Sequence, residues 1–310
     1  MAENTVGASP VPAECLNPPD KRRMSEGMKQ TLLSIGHGFT AREFGKFVQD
    51  KGWRVIGTTR SRDRASTLSE MGVEPLVWPG ADLSEAIASA THILISAAPS
   101  EDGDAFLNAY REQLEASDVQ WIGYLSTTGV YGDHGGAWVD EGTPVDPLTK
   151  RGQIRFRAET AWLETGLPVH VFRLAGIYGP GRGPFEKIRK GTARLIIKEG
   201  QVFGRVHIAD IAQTLYASTQ KPNPGALYNV SDDEPAPPQD IISHAADLMG
   251  VPHPPRVPFE DADLGPMARS FYSECKRVKN DRIKDELGVK LKYKGYKEAL
   301  AAILEAENAV

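Results

Sequence analysis

A glycine turn near the start of the chain is the stretch whose residue types and spacing point most directly to chemistry. Residues 36–41 read G-H-G-F-T-A, which is the spacing G-x-G-x-x-A. In such a turn the first glycine allows a tight bend, the second lets a pyrophosphate approach the backbone, and the last small residue lets a helix pack closely on a strand. The pattern predicts a phosphate-binding turn formed by Gly36, His37 (through its backbone N–H), Gly38, Phe39 and Thr40.

The segments on either side of this turn supply the context that such a site needs. Residues 32–35 form a short apolar run, as expected of a strand buried in a parallel sheet. The helix after the turn places Phe44, Phe47 and Val48 on one face, and residues 53–58 form a second strand. This strand–turn–helix–strand order places the positive end of a helix at the glycines, where a phosphate binds. We therefore expect a dinucleotide site.

The end of the second strand indicates which dinucleotide binds. NAD sites usually carry an acid there to bond the ribose 2′-hydroxyl, but residues 57–61 read G-T-T-R-S and no acid precedes Asp63. A guanidinium beside small hydroxyls suits a 2′-phosphate. The sequence therefore favours NADP over NAD, with Arg60 and Ser61 on the 2′-phosphate. The alternative is that Arg60 and its arginine neighbours form an ordinary solvated loop.

Composition restricts the class of protein. The chain has 310 residues and a formal net charge of −5, so it shows no basic excess that would suit nucleic acid or a membrane surface. No apolar run approaches the roughly 20 residues of a membrane helix. Its two cysteines, Cys15 and Cys275, are far apart, and its seven histidines lack paired metal-ligand spacing. We expect a cytoplasmic protein without a metal site, acting on a small molecule.

Strand and helix patterns alternate along most of the chain, which predicts a doubly wound parallel sheet, the Rossmann fold. Residues 1–28 are rich in proline and lack apolar periodicity, and they predict a disordered N-terminal extension. Residues 29–180 predict the nucleotide-binding domain. Residues 181–310 predict a smaller C-terminal α/β substrate lobe, some strands of which can return to the main sheet. The lobe is expected to cover a cleft at the carboxyl ends of the strands.

Two further positions follow from that arrangement. The turn after the fourth strand contains Ala97 and Ala98, which we expect to lie along the cofactor. Asp210 precedes an apolar helical pattern and is predicted to cap that helix.

Several stretches together resemble a known family. Besides the glycine turn they are YLSTTGVYGD at residues 124–133, RLAGIYGPGR at 173–182, RVHIADIA at 205–212 and LYNV at 227–230. These motifs resemble, in order, the extended short-chain dehydrogenase/reductase superfamily, whose members include NAD(P)-dependent epimerases and dehydratases. The resemblance implies a Rossmann fold, a nicotinamide cofactor, an oxidoreductase or epimerase-like activity and a homodimer formed through helices.

The resemblance also assigns catalytic positions, and two of them are unusual. The Ser/Thr that polarises the substrate falls on Thr127, but the Tyr-x-x-x-Lys pair of the family falls on Arg151 and Arg155. A guanidinium cannot shuttle a proton near neutral pH. Arg155 can still anchor the nicotinamide ribose, and Arg151, one turn earlier, can face an anionic substrate. The candidate proton donors are Tyr131, a water molecule and a residue of the C-terminal lobe such as Tyr272, and a solvated helix face remains the alternative for the two arginines.

Two departures from the family pattern concern the substrate. Nucleotide-sugar enzymes of the superfamily usually carry an Asn where this chain has Gly176 and an Arg where it has Phe203, and both residues grip a diphosphate. Their absence disfavours a nucleotide-sugar epimerase or dehydratase. The leading hypothesis is an NADP-binding oxidoreductase or epimerase-like enzyme for a small polar, anionic metabolite. The second is a binding protein that senses NADP(H) and has lost catalysis.

Overall fold

The computed structural model describes residues 30–309, so the extension predicted for residues 1–28 lies outside the described residues. The strands are β1 (Thr31–Ile35), β2 (Arg54–Thr59), β3 (Glu74–Val77), β4 (His92–Ile95), β5 (Trp121–Thr127), β6 (Trp138–Val139), β7 (Val169–Leu174), β8 (Gly176–Tyr178), β9 (Leu195–Ile197), β10 (Arg205–His207), β11 (Leu227–Val230), β12 (Arg256–Pro258) and β13 (Arg277–Val278). The helices are α1 (Phe39–Gln49), α2 (Arg62–Glu70), α3 (Ser84–Ser89), α4 (Ala105–Glu115), α5 (Lys150–Leu163), α6 (Phe185–Arg189), α7 (Ile208–Gln220), α8 (Pro238–Met249), α9 (Pro266–Phe271), α10 (Asp281–Asp285) and α11 (Tyr296–Asn308). Short 3₁₀ turns cover Thr128–Tyr131 and Phe259–Asp261.

A seven-stranded sheet in the order β11-β7-β5-β4-β1-β2-β3 forms the centre of the molecule. Every pair of neighbours in it is parallel. The chain moves outward in one direction from β1 to β3 and then in the other direction from β4 to β11. This reversal between β1 and β4 leaves a crevice at their carboxyl ends, where ligands of such sheets bind. The predicted doubly wound Rossmann fold is confirmed.

The local sequence explains why β1 occupies the centre. All five of its residues are buried, and Leu32 pairs with Val55 of β2 and with His92 of β4. A strand covered on both faces needs an apolar run rather than an alternating pattern. On one face α1 buries Phe44 and Val48 against the sheet. Helices α3, α4 and α5 cover the other face, so each side of the sheet has its own core.

The C-terminal part of the chain builds a lobe beyond the carboxyl ends of β5 and β7. Three small parallel pairs form it, namely β8 with β10, β9 with β12, and β6 with β13. A separate apolar core includes Tyr178, Phe185, Ile241, Leu300 and Ile303. The same part of the chain returns α7 to pack on α1 and β11 to the edge of the main sheet. None of the helices within residues 30–309 combines the length and apolar character that crossing a membrane requires.

The prediction that Asp210 caps a helix is wrong. Helix α7 begins at Ile208, and its cap is the Nδ1 atom of His207, which accepts a hydrogen bond from Ala209 N. The buried carboxylate of Asp210 accepts the backbone N–H groups of Lys292 and Tyr293 instead, at 2.6 and 3.1 Å. It therefore fastens a distant loop to α7, which its local sequence could not indicate.

Candidate active site

The glycine turn connects β1 to α1 at the point where the strand order reverses. Gly36 has a φ of +77°, and a Cβ on it would lie 2.8 Å from Ala97 N, so this position requires glycine. Gly38 has extended backbone, and a Cβ there would meet only Gly36 O at 3.8 Å. No side chain in the described part of the chain caps α1. The first N–H groups of the helix therefore face an open cradle, which suits an anion.

His37 has a role different from the one expected. Its backbone N–H, which the sequence assigns to a phosphate, donates to Thr58 O at 2.9 Å. Its ring is 6% exposed and lies between α1 and β2, where Cβ atoms on Gly45 and Gly57 would come within 2.7 and 2.9 Å of it. Burial, with a smaller effect of Arg42, lowers the pKa of His37 to about 4. The neutral ring of His37 therefore fills the space between α1 and β2 and supports the glycine turn by packing.

The end of β2 lies beside the turn. The hydroxyl of Thr58, a residue that the sequence analysis did not single out, accepts a hydrogen bond of 2.7 Å from Gly36 N. Arg60 follows the strand, is exposed and forms no ion pair with any residue from 30 to 309. Ser61 caps α2 by accepting the N–H of Arg64 at 3.3 Å. The side chain of Arg60 is thus free for a ligand, and the hydroxyl of Ser61, which only accepts a hydrogen bond, keeps its proton for a phosphate oxygen.

The turn after β4 packs directly on the glycine turn. The N–H groups of Ser96 and Ala97 both donate to Ile35 O at 2.9 Å. Ala97 is half-buried against Gly36 and Ala98 is exposed beside it. Small side chains at these two positions leave room along the crevice, as a cofactor bound there requires.

Thr127 ends β5 and begins the loop that leads into the lobe. It is half-buried, and its hydroxyl oxygen accepts a hydrogen bond of 3.1 Å from Gly129 N. The hydroxyl proton is therefore available for a second partner. Because the carboxyl ends of β4 and β5 are adjacent, Thr127 lies on the same edge of the sheet as the glycine turn.

Tyr131, a candidate proton donor from the sequence, lies in the core instead. It is fully buried, and its hydroxyl donates to Asn229 Oδ1 at 2.8 Å. The guanidinium of Arg173 lies 4.9 Å from the centre of its ring. Burial raises the pKa of Tyr131 above its ordinary value. A phenol held this way is a structural hydrogen-bond donor and does not face the crevice.

The two arginines that replace the family's Tyr and Lys lie on α5. Arg155 is 8% exposed, and its guanidinium donates to Leu125 O at 2.8 Å and lies over the ring of Tyr124. Arg155 therefore braces β5 two residues before Thr127. Arg151 is exposed one turn earlier. Arg155 therefore does not lie on an ordinary solvated helix face, which was the alternative interpretation of the two arginines.

A third arginine joins these two. Partial burial and then the positive charges of Arg155 and Arg182 lower the pKa of Arg151. The guanidinium of Arg182 lies 5.4 Å from the centre of the Phe39 ring, at the start of α1. Within residues 30–309 none of the three forms an ion pair with a carboxylate. Three neighbouring cations beside a helix N-terminus suit an anionic ligand, and the charge of Arg155 is partly balanced by the buried carboxylate of Asp104.

A buried ion pair fixes the helix that carries Arg151 and Arg155. The carboxylate of Glu159 accepts three hydrogen bonds from Arg173, the shortest of 2.8 Å, and another from the hydroxyl of Ser126. The pair is almost completely buried, with side chains 4% and 1% exposed. It ties α5 to β5 and β7, so the arginines and Thr127 keep a fixed separation. In the described part of the chain, no group of three His, Cys, Asp or Glu residues is arranged to hold a metal ion.

Known proteins resemble this chain in sequence and in structure. No family model matches the chain. The chain is 30% identical to protein YeeZ of Escherichia coli strain K12 over 284 residues, which cover 86% of this chain and 97% of YeeZ. A solved structure of a functionally unknown conserved protein from Silicibacter pomeroyi is 56% identical, with a TM-score of 0.87, and the match covers 90% of this chain and 99% of that one.

A further solved structure with this fold carries a functional assignment. A Methylobacillus flagellatus protein assigned as an NAD-dependent epimerase/dehydratase is 25% identical, with a TM-score of 0.67. The match covers 91% of this chain and all of that one. The similarity therefore spans both the parallel sheet and the lobe beyond its carboxyl ends.

Proposed function

This chain belongs to the NAD-dependent epimerase/dehydratase family of the extended short-chain dehydrogenase/reductase superfamily, and from that premise we propose that it is an NADP-dependent oxidoreductase or epimerase-like enzyme for a small anionic metabolite. One observation carries the proposal. Arg182 lies against Phe39 at the uncapped N-terminus of α1, at the switch point of the sheet, and it neighbours Arg151, which in turn neighbours Arg155; none of the three forms an ion pair within residues 30–309. We call these three residues the arginine group. The N–H groups at the start of the helix and the guanidinium groups opposite them both attract negative charge.

The residues of the crevice fit a nicotinamide dinucleotide. The open cradle at Gly38 gives a pyrophosphate access to the N–H groups of Phe39 and Thr40. The free guanidinium of Arg60 suits a 2′-phosphate, and no acid stands at the end of β2 to bond a 2′-hydroxyl. The nicotinamide would supply or accept the hydride. The protein's own task is to orient the reacting carbon and to balance charge.

The substrate side of the crevice is formed by Thr127 and the arginine group. The free hydroxyl proton of Thr127 can bond the oxygen at the reacting carbon. Arg151 and Arg182 are exposed and can hold a carboxylate or a phosphate, in part through bidentate bonds. Arg155 is committed to Leu125 O and keeps β5 in place, and its remaining N–H groups would bond ribose hydroxyls.

A second candidate function is a sensor of NADP(H) without catalysis. The observation that favours it is the absence of a proton-transfer group on α5, since Arg151 and Arg155 stay charged near neutral pH. The structure removes Tyr131 as a substitute because it is buried against Asn229. A nucleotide-sugar substrate remains disfavoured, because Gly176 and Phe203 lack the side chains that would grip a diphosphate.

Titration of NADPH and NADH tests the cofactor assignment. We expect wild type to prefer NADPH and Arg60→Ala to lose about 10-fold or more in NADPH affinity alone, which corresponds to one charge-assisted contact. Arg62→Ala is the matched control, because Arg62 is also exposed and lies only two residues away. Equal binding of both dinucleotides by wild type contradicts the NADP assignment. Binding of neither contradicts the proposed function as a whole.

A further inference from the structure

The C-terminal lobe brings a second segment to the end of β5. Strand β13 pairs with β6, the short strand that follows the β5 loop. Just before β13, the carbonyl of Cys275 accepts the N–H groups of His134 and Gly136 at 3.1 and 2.9 Å. The N–H of Cys275 donates to Asp133 Oδ1 at 2.7 Å. These bonds to the N–H and to the C=O of Cys275 hold residues 274–276 against the loop after Thr127.

Glu274 and Lys276 form a nearly buried ion pair at this contact. Lys276 Nζ donates to Glu274 Oε2 and to Gly132 O, each at 2.7 Å. The side chains are 12% exposed for Glu274 and 9% for Lys276. The lysine is thus held by a backbone carbonyl of the β5 loop, and it holds the carboxylate in turn.

The carboxylate of Glu274 and the hydroxyl of Thr127 both lie close to Gly129. A Cβ on Gly129 would be 3.4 Å from Thr127 Oγ1 and 3.9 Å from Glu274 Oε2, so both oxygens border the same small space. Gly152 of α5 also packs on this loop, since its own Cβ would lie 3.1 Å from Gly129 O. The space is therefore bounded by β5, by the start of α5 and by residues 274–276. It adjoins the position where the oxygen of a substrate bonded to Thr127 would lie.

We propose that Glu274 is the general acid/base of this enzyme, in the role that the missing tyrosine holds in relatives, and that Lys276 positions it; the inference rests on the proposed function. A carboxylate accepts a proton, which the guanidiniums on α5 cannot do. In oxidation, the proton of a substrate hydroxyl moves to Glu274 while the hydride on the same carbon passes to oxidised nicotinamide, and a C=O bond forms. In reduction, the protonated Glu274 returns its proton to the carbonyl oxygen as hydride arrives from NADPH.

Tyr272, the other candidate from the lobe, is placed differently. Its ring is 8% exposed and stacks on Phe259 at 5.0 Å, with Phe203 edge-on at 5.4 Å. Its backbone carbonyl accepts Lys198 Nζ. Tyr272 therefore forms the aromatic core of the lobe rather than the surface that faces Thr127.

The test measures NADPH oxidation with para-carboxybenzaldehyde, a probe with one carbonyl and one carboxylate for the arginine group, and with uncharged para-nitrobenzaldehyde. We expect Glu274→Gln to lower kcat by about 100-fold or more, the typical contribution of a positioned acid or base. The KM for the probe and the Kd for NADPH stay within about threefold of wild type, because Glu274 holds neither the cofactor nor the carboxylate.

Two more variants separate catalysis from folding. Gly129→Ala places a methyl group at ordinary contact distance between Thr127 and Glu274, so it folds but keeps the proton donor apart from the substrate. It is expected to lower kcat at unchanged NADPH affinity. Glu260→Gln is the matched control, since Glu260 is exposed on the same lobe, and it leaves kcat unchanged.

Three results would overturn the inference. Glu274→Gln with a wild-type kcat and pH profile excludes this carboxylate as the acid/base. Wild type that binds NADPH but reduces neither aldehyde contradicts a working proton donor beside Thr127 and favours the sensor. Wild type that does not bind NADPH refutes the proposed function, and the inference falls with it.

Discussion

Removing the negative charge of Glu159 should destabilise the whole molecule severely. Its carboxylate is the partner of Arg173, and both side chains are shielded from water at 1% and 4% exposure. The substitution Glu159→Gln keeps the size of the side chain but leaves a buried guanidinium without a counter-charge. Breaking a buried pair in this way typically costs about 3–5 kcal/mol. That is a large part of the roughly 5–15 kcal/mol that holds a folded protein together.

Because the cost comes from a buried charge left unpaired, removing both charges together should cost less than removing one. Replacing both partners with apolar residues, as in Glu159→Leu with Arg173→Met, removes the desolvation cost together with the attraction. The double variant should therefore be more stable than Glu159→Gln alone. The hydroxyl of Ser126 can still donate to the amide oxygen in Glu159→Gln but has no acceptor at this position in the double variant, so the predicted gain of the double variant is net of that lost hydrogen bond.

Urea unfolding followed by far-ultraviolet circular dichroism measures these differences. The matched control is Asp50→Asn, which breaks the ion pair with Lys46 on α1, where both side chains are about two-thirds exposed (67% and 69%). It should cost less than about 1 kcal/mol, because water screens an exposed pair. A cost for Glu159→Gln as small as that of the control would refute the reasoning, as would a double variant less stable than the single one.

Two further predictions concern buried groups. Gly57→Ala puts a Cβ 2.9 Å from both His37 Cγ and Val73 Cγ1 and should cost about 1–3 kcal/mol in urea unfolding, with only part of the loss recovered on adding His37→Ala. Gly183→Ala, which meets nothing within 4 Å, is the control, and equal stability of the Gly57 and Gly183 variants would contradict the packing argument. Burial raises the pKa of Asp232 from 3.8 to about 8. Between these pH values the folded chain keeps a proton that the unfolded chain has lost, so the free energy of unfolding falls as pH rises, and Asp232→Asn should weaken this fall. A variant whose stability declines with pH as steeply as wild type would show that Asp232 is not the group responsible.

The parts of the fold that depend on neighbouring residues could be predicted from the sequence. The strand, glycine turn and helix at residues 31–49 form from an apolar run, a required positive φ at Gly36 and an amphipathic helix, all within one stretch. The second strand, expected over residues 53–58, forms over Arg54–Thr59, whereas the role of Thr127 at the end of β5 came from the family resemblance and not from a local pattern.

The misassigned residues are those whose partners are distant in the sequence. His37 is adjacent to the phosphate cradle, but Gly57 on the next strand leaves a space that its ring fills. Tyr131 follows a catalytic strand, but its hydroxyl meets Asn229 of β11. Local sequence carries no information about such contacts.

Two residues of the site were missed for the same reason. Arg182 lies in the loop after β8, and its guanidinium meets the ring of Phe39 at the start of α1. Glu274 comes near Gly129 at the end of β5 because β13 pairs with β6. An arginine within the glycine-rich stretch 179–183 was the one signal in the sequence that could have indicated Arg182.

The most direct test of the central claim is NADPH binding to Gly38→Asp, measured by calorimetry. The backbone of Gly38 is extended with a φ of −94°, and its cradle has room for a Cβ, so the variant should fold as wild type does. Its carboxylate would occupy the anion site at the start of α1 and cap the helix there. We predict a loss of NADPH affinity of about 100-fold or more with no loss of thermal stability. Unchanged NADPH binding would contradict the assignment of this turn as the dinucleotide site.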